Sequence, residues 1–210
     1  MRPLPLLALL LSLGCAPSLL EREGVTLPEP SDTSETGDTA PPAPRIVTTA
    51  SDGVSESWID STAYLEFVYM NLATGEEVAV SDPLTSTDWD LGFERYLVAS
   101  DGGVSGTGGV EVAALAGQDF EALTTAPAEG YAVDLADDDD ENTNPEYAMG
   151  DWFDYAEEDH TVTPTPDLVY VIHATDGTYY KWQFVAYYDD AGTPAYITAR
   201  WAPIGAPTEP

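Results

Sequence analysis

Basic residues are scarce in this chain. Six Lys and Arg stand against 38 Asp and Glu in 210 residues, which gives a formal net charge of -32 at pH 7. Proteins that bind nucleic acid or anionic headgroups neutralise phosphates with clustered cations, so the composition excludes nucleic acid as a partner. Aromatic residues nevertheless make up 10% of the chain, which is typical of a folded domain rather than a disordered acidic tail.

Cysteine and long apolar runs are also nearly missing. Cys15 is the single cysteine, so the chain can form neither an internal disulfide nor a cysteine-based metal site. The longest apolar stretch near the N-terminus runs from Leu4 to Leu13. A helix needs about 20 residues to span a bilayer, so this stretch is too short for a membrane anchor and suits a signal peptide.

The end of that stretch reads SLGC and resembles the bacterial lipoprotein signal, in which a small residue precedes a cysteine that is lipidated and becomes the first residue. We therefore predict a signal peptide over residues 1–14 and lipidation of Cys15. The alternative is an ordinary secretory signal whose cysteine is incidental. Residues 15–45 are rich in Pro, Thr, Asp and Glu without apolar periodicity, which predicts a disordered tether.

From residue 46 the pattern changes to short apolar runs with period-two alternation, separated by Gly, Pro and Asp-Gly. TAYLEFVYMNL (62–72) predicts one strand. LVYVIHAT, the loop Asp176-Gly177 and TYYKWQFVAYY predict a hairpin, which PAYITARWA extends to a three-stranded meander. No long stretch has a helical apolar period, so helices should be few and short. We predict an all-β fold, a single antiparallel domain over residues 46–206.

Two strand patterns are specific enough to assign faces. In the middle strand of the meander, alternation predicts that one set of side chains packs in the core: Tyr180, Trp182, Phe184, Ala186 and Tyr188. In WDLGFERY (89–96), Trp89, Leu91 and Phe93 alternate with Asp90, Gly92 and Glu94. This pattern predicts a half-buried strand that continues towards Val98.

Catalytic motifs are missing as well. The glycines from Gly102 to Gly109 lack the spacing of a nucleophile elbow around Ser105 and the lysine of a phosphate loop, so they predict a connection between strands. The sequence has no HExxH and no nucleophile with a spaced base. We therefore predict that the protein is not an enzyme.

Several segments together resemble the HmuY family of surface lipoproteins over residues 58–202. They are WDLGFERY with the glycine-rich turn into GGVEV, GDWFDY, HTVTP, VYVIHATDGTYYKWQFVAYY and GTPAYITARW. The most specific are WDLGFERY and VYVI-x-x-x-DG-x-YYK. The resemblance implies an all-β, lipid-anchored protein of the outer membrane that captures haem and passes it to an outer-membrane receptor. It also implies iron held between two axial side chains, two His or two Met, and a scaffold role for Arg95 in pairing with a carboxylate or capping carbonyls.

The candidates for such ligands are few. Beyond the initiator the chain contains Met70, Met149, His160 and His173. Met70 and His173 fall in predicted strands and are expected to be sheet residues. Met149 and His160 fall in an irregular region, and loops on a β scaffold are where binding residues concentrate.

The resemblance places the second ligand near His160 and the first within LTTAPAEGYAVDL (123–135), which contains neither His nor Met. Either a mixed Met149/His160 pair or a single ligand is left. Haem propionates usually pair with Lys or Arg, and the chain from residue 45 onward offers four: Arg45, Arg95, Lys181 and Arg200.

An acidic run supports a different function. Five consecutive residues carry carboxylates: Asp137, Asp138, Asp139, Asp140 and Glu141. Carboxylates this closely spaced suit Ca²⁺, which takes six to eight oxygen ligands. The alternative to haem binding is therefore a non-catalytic surface binding or adhesion lipoprotein with a calcium-binding loop. The run is equally typical of a solvated, self-repelling loop.

The lipoprotein signal makes a direct prediction. Replacing Cys15 with Ser removes the thiol that would be acylated, so the variant should incorporate no radiolabelled palmitate and its normal processing should stop. Acyl chains bind membranes with about 0.8 kcal/mol per buried CH₂, so the wild-type protein should stay membrane-bound after a high-salt wash. Unlabelled wild-type protein in the soluble fraction would contradict the prediction.

Overall fold

The computed structural model describes residues 42–137 and 144–208. Cys15 and Asp138 to Glu141 lie outside these residues. The described residues form strands, turns and bends without a helix, which confirms the all-β prediction; the few short helices that were expected are not found in them. In this part of the chain no helix is long and apolar enough to cross a membrane. The strands are β1 (Ile46–Ser51), β2 (Val54–Asp60), β3 (Val68–Asn71), β4 (Glu76–Val78), β5 (Leu91–Glu94), β6 (Leu97–Ser100), β7 (Glu111–Ala116), β8 (Tyr131–Ala132), β9 (Phe153–Ala156), β10 (Thr161–Pro164), β11 (Leu168–His173), β12 (Tyr179–Tyr188) and β13 (Pro194–Ile204).

These strands form three antiparallel sheets. The largest has seven strands in the order β1-β2-β13-β12-β11-β7-β8, and the second has four in the order β4-β3-β5-β6. The third is the isolated hairpin β9–β10. The predicted meander is β11-β12-β13, at the centre of the largest sheet, and its first turn is the predicted Asp176-Gly177 loop.

The main core lies where the large sheet packs against the four-stranded sheet. Trp182 of β12 is fully buried there, with its ring centroid 6.0 Å from Phe93 of β5 and 6.4 Å from Trp201 of β13. A buried aromatic side chain removes about 150–250 Å² from water, which at about 25 cal/mol per Å² is roughly 4–6 kcal/mol. The Phe93–Trp182 contact thus joins the two sheets, together with aliphatic core residues such as Met70 and Leu91.

A second, smaller core contains the β7 and β11 side chains Ala113, Val169 and Val171, which are not part of the main core. Phe120 and Leu123, from the segment after β7, pack with Val169 and Val171. Lys181 fixes this segment, because its buried Nζ donates to the carbonyl of Phe120 at 2.7 Å and lies 4.3 Å from the centre of that ring.

Four details of the strand predictions are wrong. The strand predicted over residues 62–72 begins only at Val68, because Leu65 adopts a positive φ of 61° that no strand accepts. The strand containing WDLGFERY ends at Glu94 and turns back into β6, because Arg95 has a φ of 51°. Asp90 and Glu94 are buried rather than solvent-facing, since their carboxylates accept buried or half-buried backbone N–H groups.

The fourth error concerns the second half of β12. Register shifts follow Phe184, and such a bulge rotates the later side chains relative to a regular strand. Tyr187 is therefore buried in the main core, although alternation had assigned it to the opposite face, while Ala186 and Tyr188 are only half-buried.

The glycine-rich connection from β6 to β7 encloses one buried carboxylate. A Cβ on Gly106 would lie 2.0 Å from Oδ1 of Asp101, and a Cβ on Gly108 would lie 2.2 Å from Oδ2. The backbone N–H of Gly108 donates to Oδ1 at 2.8 Å, while Oδ2 is buried without a hydrogen-bond partner. The glycines are thus needed for close approach to Asp101 and not for a phosphate.

Neighbouring glycines allow this explanation to be tested. Gly108→Ala should destabilise the fold by about 2–3 kcal/mol, because its Cβ overpacks against Asp101 and Thr175. Gly109→Ala is the control: a Cβ there meets nothing within 4 Å, so it should cost only the strain of its φ of 75°, about 1–2 kcal/mol. Urea unfolding measures both, and a Gly108 variant no less stable than the Gly109 variant would contradict the explanation.

Asp101 also predicts how stability depends on pH. Burial raises the pKa of its carboxyl group above the ordinary value of 3.8, against the opposing hydrogen bonds from the Gly108 and Thr107 N–H groups. The folded state therefore holds this proton more tightly than the unfolded state. Above pH 3.8 the contribution of Asp101 to stability should fall as the pH rises through its raised pKa.

Unfolding free energies between pH 4 and pH 8 should therefore decrease with pH in the wild-type protein. The slope should be shallower in Asp101→Asn, which removes this titration. Asp52→Asn is the matched control, because it removes one equally charged but exposed carboxylate. An Asp101→Asn slope equal to the wild-type slope would contradict the assignment.

Candidate functional site

Aromatic side chains line one surface between the β5–β6 turn and the β9–β10 hairpin. The rings of Tyr96 and Phe153 are 5.6 Å apart, and those of Tyr155 and His160 are 6.1 Å apart. Phe153 and Tyr155 are two residues apart on one strand, which spaces them by about 6.6 Å on the same face. We call these four residues the aromatic strip.

His160 lies at the end of this strip, in the turn between β9 and β10. Its side chain is exposed, and its Nδ1 lies 2.6 Å from the hydroxyl of Tyr155. No hydrogen bond to Nε2 is found among the described residues. A neutral imidazole with one nitrogen held and the other accessible is a competent ligand for iron.

The strip is held to the core by the residue before the hairpin. Trp152 is buried, stacks on Phe184 with 4.4 Å between ring centroids, and donates its indole N–H to the carbonyl of Tyr96 at 2.9 Å. On the other strand of the hairpin, the hydroxyl of Tyr188 accepts the N–H of Val162 at 2.9 Å. Both ends of the strip are thus attached to side chains of the main sheet or its core.

Tyr155 lies at the edge of the core. It is paired directly with Val162, so both side chains project from the same face of the hairpin. Val162 is buried in the main core, whereas Tyr155 is 51% exposed. The strip therefore runs from the core out into solvent.

A cavity of about 160 Å³ adjoins the other end of the strip, lined by Tyr64, Leu65, Glu94, Arg95, Tyr96, Leu97 and Asn144. Tyr64 and Leu65 are 76% and 79% exposed, which is unusual for large apolar side chains. Pockets that enclose a whole ligand have volumes of about 300–1,000 Å³, so this cavity can take only the edge of a cofactor.

Backbone strain is concentrated at this surface. Six residues other than glycine have a positive φ in the described part of the chain, and Leu65, Arg95 and His160 are three of them. Such conformations cost about 1–3 kcal/mol each and are typical of ligand-holding segments.

Two of the three strained residues are held by short hydrogen bonds to buried groups. The buried Ser61 accepts the N–H of Arg95 on its carbonyl at 2.7 Å and donates its hydroxyl to the carbonyl of Arg95 at 2.9 Å. The buried Glu94 accepts the N–H of Leu65 at 2.7 Å. These hydrogen bonds fix the backbone at Leu65 and Arg95.

Arg95 differs from the other basic residues in the described ranges. Arg45 pairs with Glu66, Arg200 pairs with Glu121, and Lys181 is buried against Phe120. Arg95 was expected to pair with a carboxylate or to cap a carbonyl. Within residues 42–137 and 144–208 it forms neither contact. Its charge is near Tyr187, where it partly offsets the rise in pKa that burial causes.

The structure does not bring the two loop candidates for iron ligation together. Met149 is in a turn, as expected, but it is 0% exposed and packs in the main core, whereas His160 is on the surface. Met70 is buried in β3. His173 ends β11, where its ring stacks on Tyr179 at 4.4 Å and its Nδ1 lies 3.8 Å from Glu111.

Tyr131, in the segment expected to supply the first ligand, lies far from His160. The ring of Tyr131 is 6.2 Å from Tyr179, at the start of β12, while the hairpin that carries His160 contacts Tyr188, at its end. Ten residues of strand extend about 33 Å. A side chain near Tyr131 and His160 are therefore too far apart to share one iron.

Nothing in the described residues supports the predicted calcium site. Asp137 is described, but the other four carboxylates of the run are not. Across residues 42–137 and 144–208, no group of three or more His, Cys, Asp or Glu side chains is placed to hold a metal ion.

Two residues of the site are not predicted from the sequence, and a third is predictable only as an apolar wall. Tyr155 is one of several aromatic residues that could form such a wall, and nothing in the sequence pairs its hydroxyl with His160. Tyr64 and Leu65 were assigned to a strand, since their apolar character fits the alternating pattern. The sequence contains one signal for these two residues. They precede a strand whose own alternating apolar side chains are enough to fill its core-facing side, so Tyr64 and Leu65 are not needed there.

The fold and this surface define an all-β binding scaffold. The HmuY protein family model matches residues 63–201, and the chain therefore belongs to the HmuY family. No curated protein matches the chain significantly.

Solved structures share the fold at low sequence identity. A Bacteroides fragilis protein described as a lipoprotein is 21% identical, with a TM-score of 0.54 over 79% of this chain and 97% of that one. A Bacteroides vulgatus protein described as an HmuY-like haem-binding protein is 19% identical, with a TM-score of 0.53 over 76% and 97%. The apo HmuY analogue of Tannerella forsythia is 15% identical, with a TM-score of 0.56 over 78% and 97%.

Proposed function

We propose that this protein is a lipid-anchored haem-binding protein of the outer membrane that captures haem, or a related tetrapyrrole, for uptake through a receptor. Membership of the HmuY family supports the ligand class, and the lipoprotein signal at Cys15 supports the anchor. The observation that carries the proposal is the exposed His160 at the end of a row of aromatic rings.

The aromatic strip would provide the porphyrin surface. The rings of Phe153 and Tyr155 are apolar enough to replace water on one side of a macrocycle, and both side chains have exposed area to contribute. His160 would supply the axial nitrogen through Nε2. Of the two arrangements left open by the sequence, a single protein ligand fits better, because Met149 is buried in the core.

Arg95 would pair with a propionate. Two carboxylates brought to a protein of net charge -32 need a local cation, since unit charges 4 Å apart interact by about 4 kcal/mol at an effective dielectric near 20. Within the described ranges Arg95 is the half-exposed cation without an ion-pair partner, and it lies beside Tyr96 in the small cavity. Its charge would also favour haem over uncharged apolar ligands.

Haem titration of residues 16–210 tests the proposed function. The wild-type chain should give a sharp Soret band, and His160→Ala should lose it because the axial nitrogen is gone. His173→Ala is the matched control: it removes a histidine engaged with Tyr179 and Glu111, so the band should be unchanged. The broad spectrum of free haem with the wild-type chain, or full binding by the His160 variant, would overturn the assignment.

The role of Arg95 has a separate test. Arg95→Gln should weaken haem binding by about tenfold, which corresponds to 1.4 kcal/mol. The dimethyl ester of haem lacks the propionate charges, so its affinity should be equal for the wild-type chain and the variant. Arg200→Gln controls for the loss of one positive charge, because Arg200 is already paired with Glu121. An equal loss with haem and with its ester would exclude a propionate contact.

A further inference from the structure

Tyr155 and His160 form a hydrogen-bonded pair whose chemistry is unusual for a histidine at a metal site. The hydroxyl oxygen is 2.6 Å from Nδ1, and either atom can be the donor, depending on the tautomer of the imidazole. The common partners of metal-binding histidines are carboxylates and carbonyls, which only accept hydrogen bonds. A tyrosine hydroxyl both donates and accepts.

Because the hydroxyl can donate or accept, the Tyr155–His160 hydrogen bond can form in both the free and the iron-bound state of the histidine. When Nε2 carries the proton, Nδ1 accepts from the Tyr155 hydroxyl. When Nε2 binds iron, its lone pair is engaged and the proton is on Nδ1, which then donates to the same oxygen. A carboxylate or carbonyl partner would support only the second state. The pair can thus keep its geometry whether or not a ligand is present.

The backbone holds the pair in place. Tyr155 is fixed in β9 opposite Val162, whose N–H donates to the hydroxyl of the half-buried Tyr188 at the end of β12. His160 has a positive φ of 57°, which His tolerates better than most side chains. Asp159 stabilises the turn by accepting from the N–H and the hydroxyl of Thr161.

We infer that Tyr155 is a positioning residue for iron: its hydroxyl holds Nδ1 of His160 and directs Nε2 to the metal of a porphyrin lying on the aromatic strip. This inference rests on the proposed haem-binding function. When Nε2 is bound to iron, donation from Nδ1–H to the Tyr155 oxygen makes the imidazole a stronger electron donor. A stronger donor stabilises the ferric state and lowers the reduction potential of the iron.

Tyr155→Phe removes only the hydroxyl and keeps the ring. In residues 16–210 this variant should bind haem about tenfold more weakly, the lower end of the effect usual for an outer-sphere partner. The bound iron should have a more positive reduction potential than in the wild-type chain. Tyr196→Phe is the matched control, because Tyr196 lies outside the strip, stacked on Trp58, and no hydrogen bond to its hydroxyl is found in the described residues; both quantities should match the wild-type values.

The outcomes separate this inference from the proposed function. A wild-type chain that fails to bind haem overturns both. A wild-type chain that binds haem, with Tyr155→Phe equal to Tyr196→Phe in affinity and potential, overturns the role of Tyr155 and leaves the haem function standing. A folded Tyr155→Phe chain that loses the Soret band as completely as His160→Ala would show that Tyr155 ligates iron itself, which also overturns a positioning role.

Discussion

The indole of Trp152 is the contact on which the rest of the site depends. One side chain joins three elements: its ring packs on Phe184 in the core, its N–H holds the β5–β6 turn, and its backbone leads directly into β9. A hydrogen bond from a buried donor is costly to leave unmade, about 1–3 kcal/mol, so this contact fixes the turn relative to the hairpin. The positions of Tyr96, Phe153 and Tyr155 follow from it.

Charge is the second constraint on the molecule. Within the described residues, two of the few cations form exposed ion pairs, and Lys181 fixes the segment that covers β11. Buried carboxylates are instead satisfied by backbone and side-chain donors, as at Asp90, which accepts from Leu72 and from Thr175, and at Asp134, which accepts from Ser100 and Ala148. Arg95 has no ion-pair partner within the described residues.

The sequence predicts the meander well and the site poorly, for a physical reason. Alternation of apolar and polar residues indicates a strand, and an Asp-Gly turn fixes how the two strands beside it pair. For this reason β11 to β13 could be located from the sequence alone. The turn at Arg95 and the bulge after Phe184 depend on tertiary contacts, Ser61 in one case and Tyr187 packing on Trp152 in the other. His160 could be selected because only two histidines exist, but its partner Tyr155 is one of twelve tyrosines and is identified only by proximity.

The half-exposed position of Tyr155 has a kinetic consequence. A ligand lying on the strip would keep part of its edge in solvent, so a second protein could contact it before it leaves. Handover could then proceed through a ternary complex, at a rate that rises with the concentration of the acceptor. A fully enclosed ligand would instead have to dissociate first, and its release would be limited by an opening motion of the donor that no acceptor can accelerate.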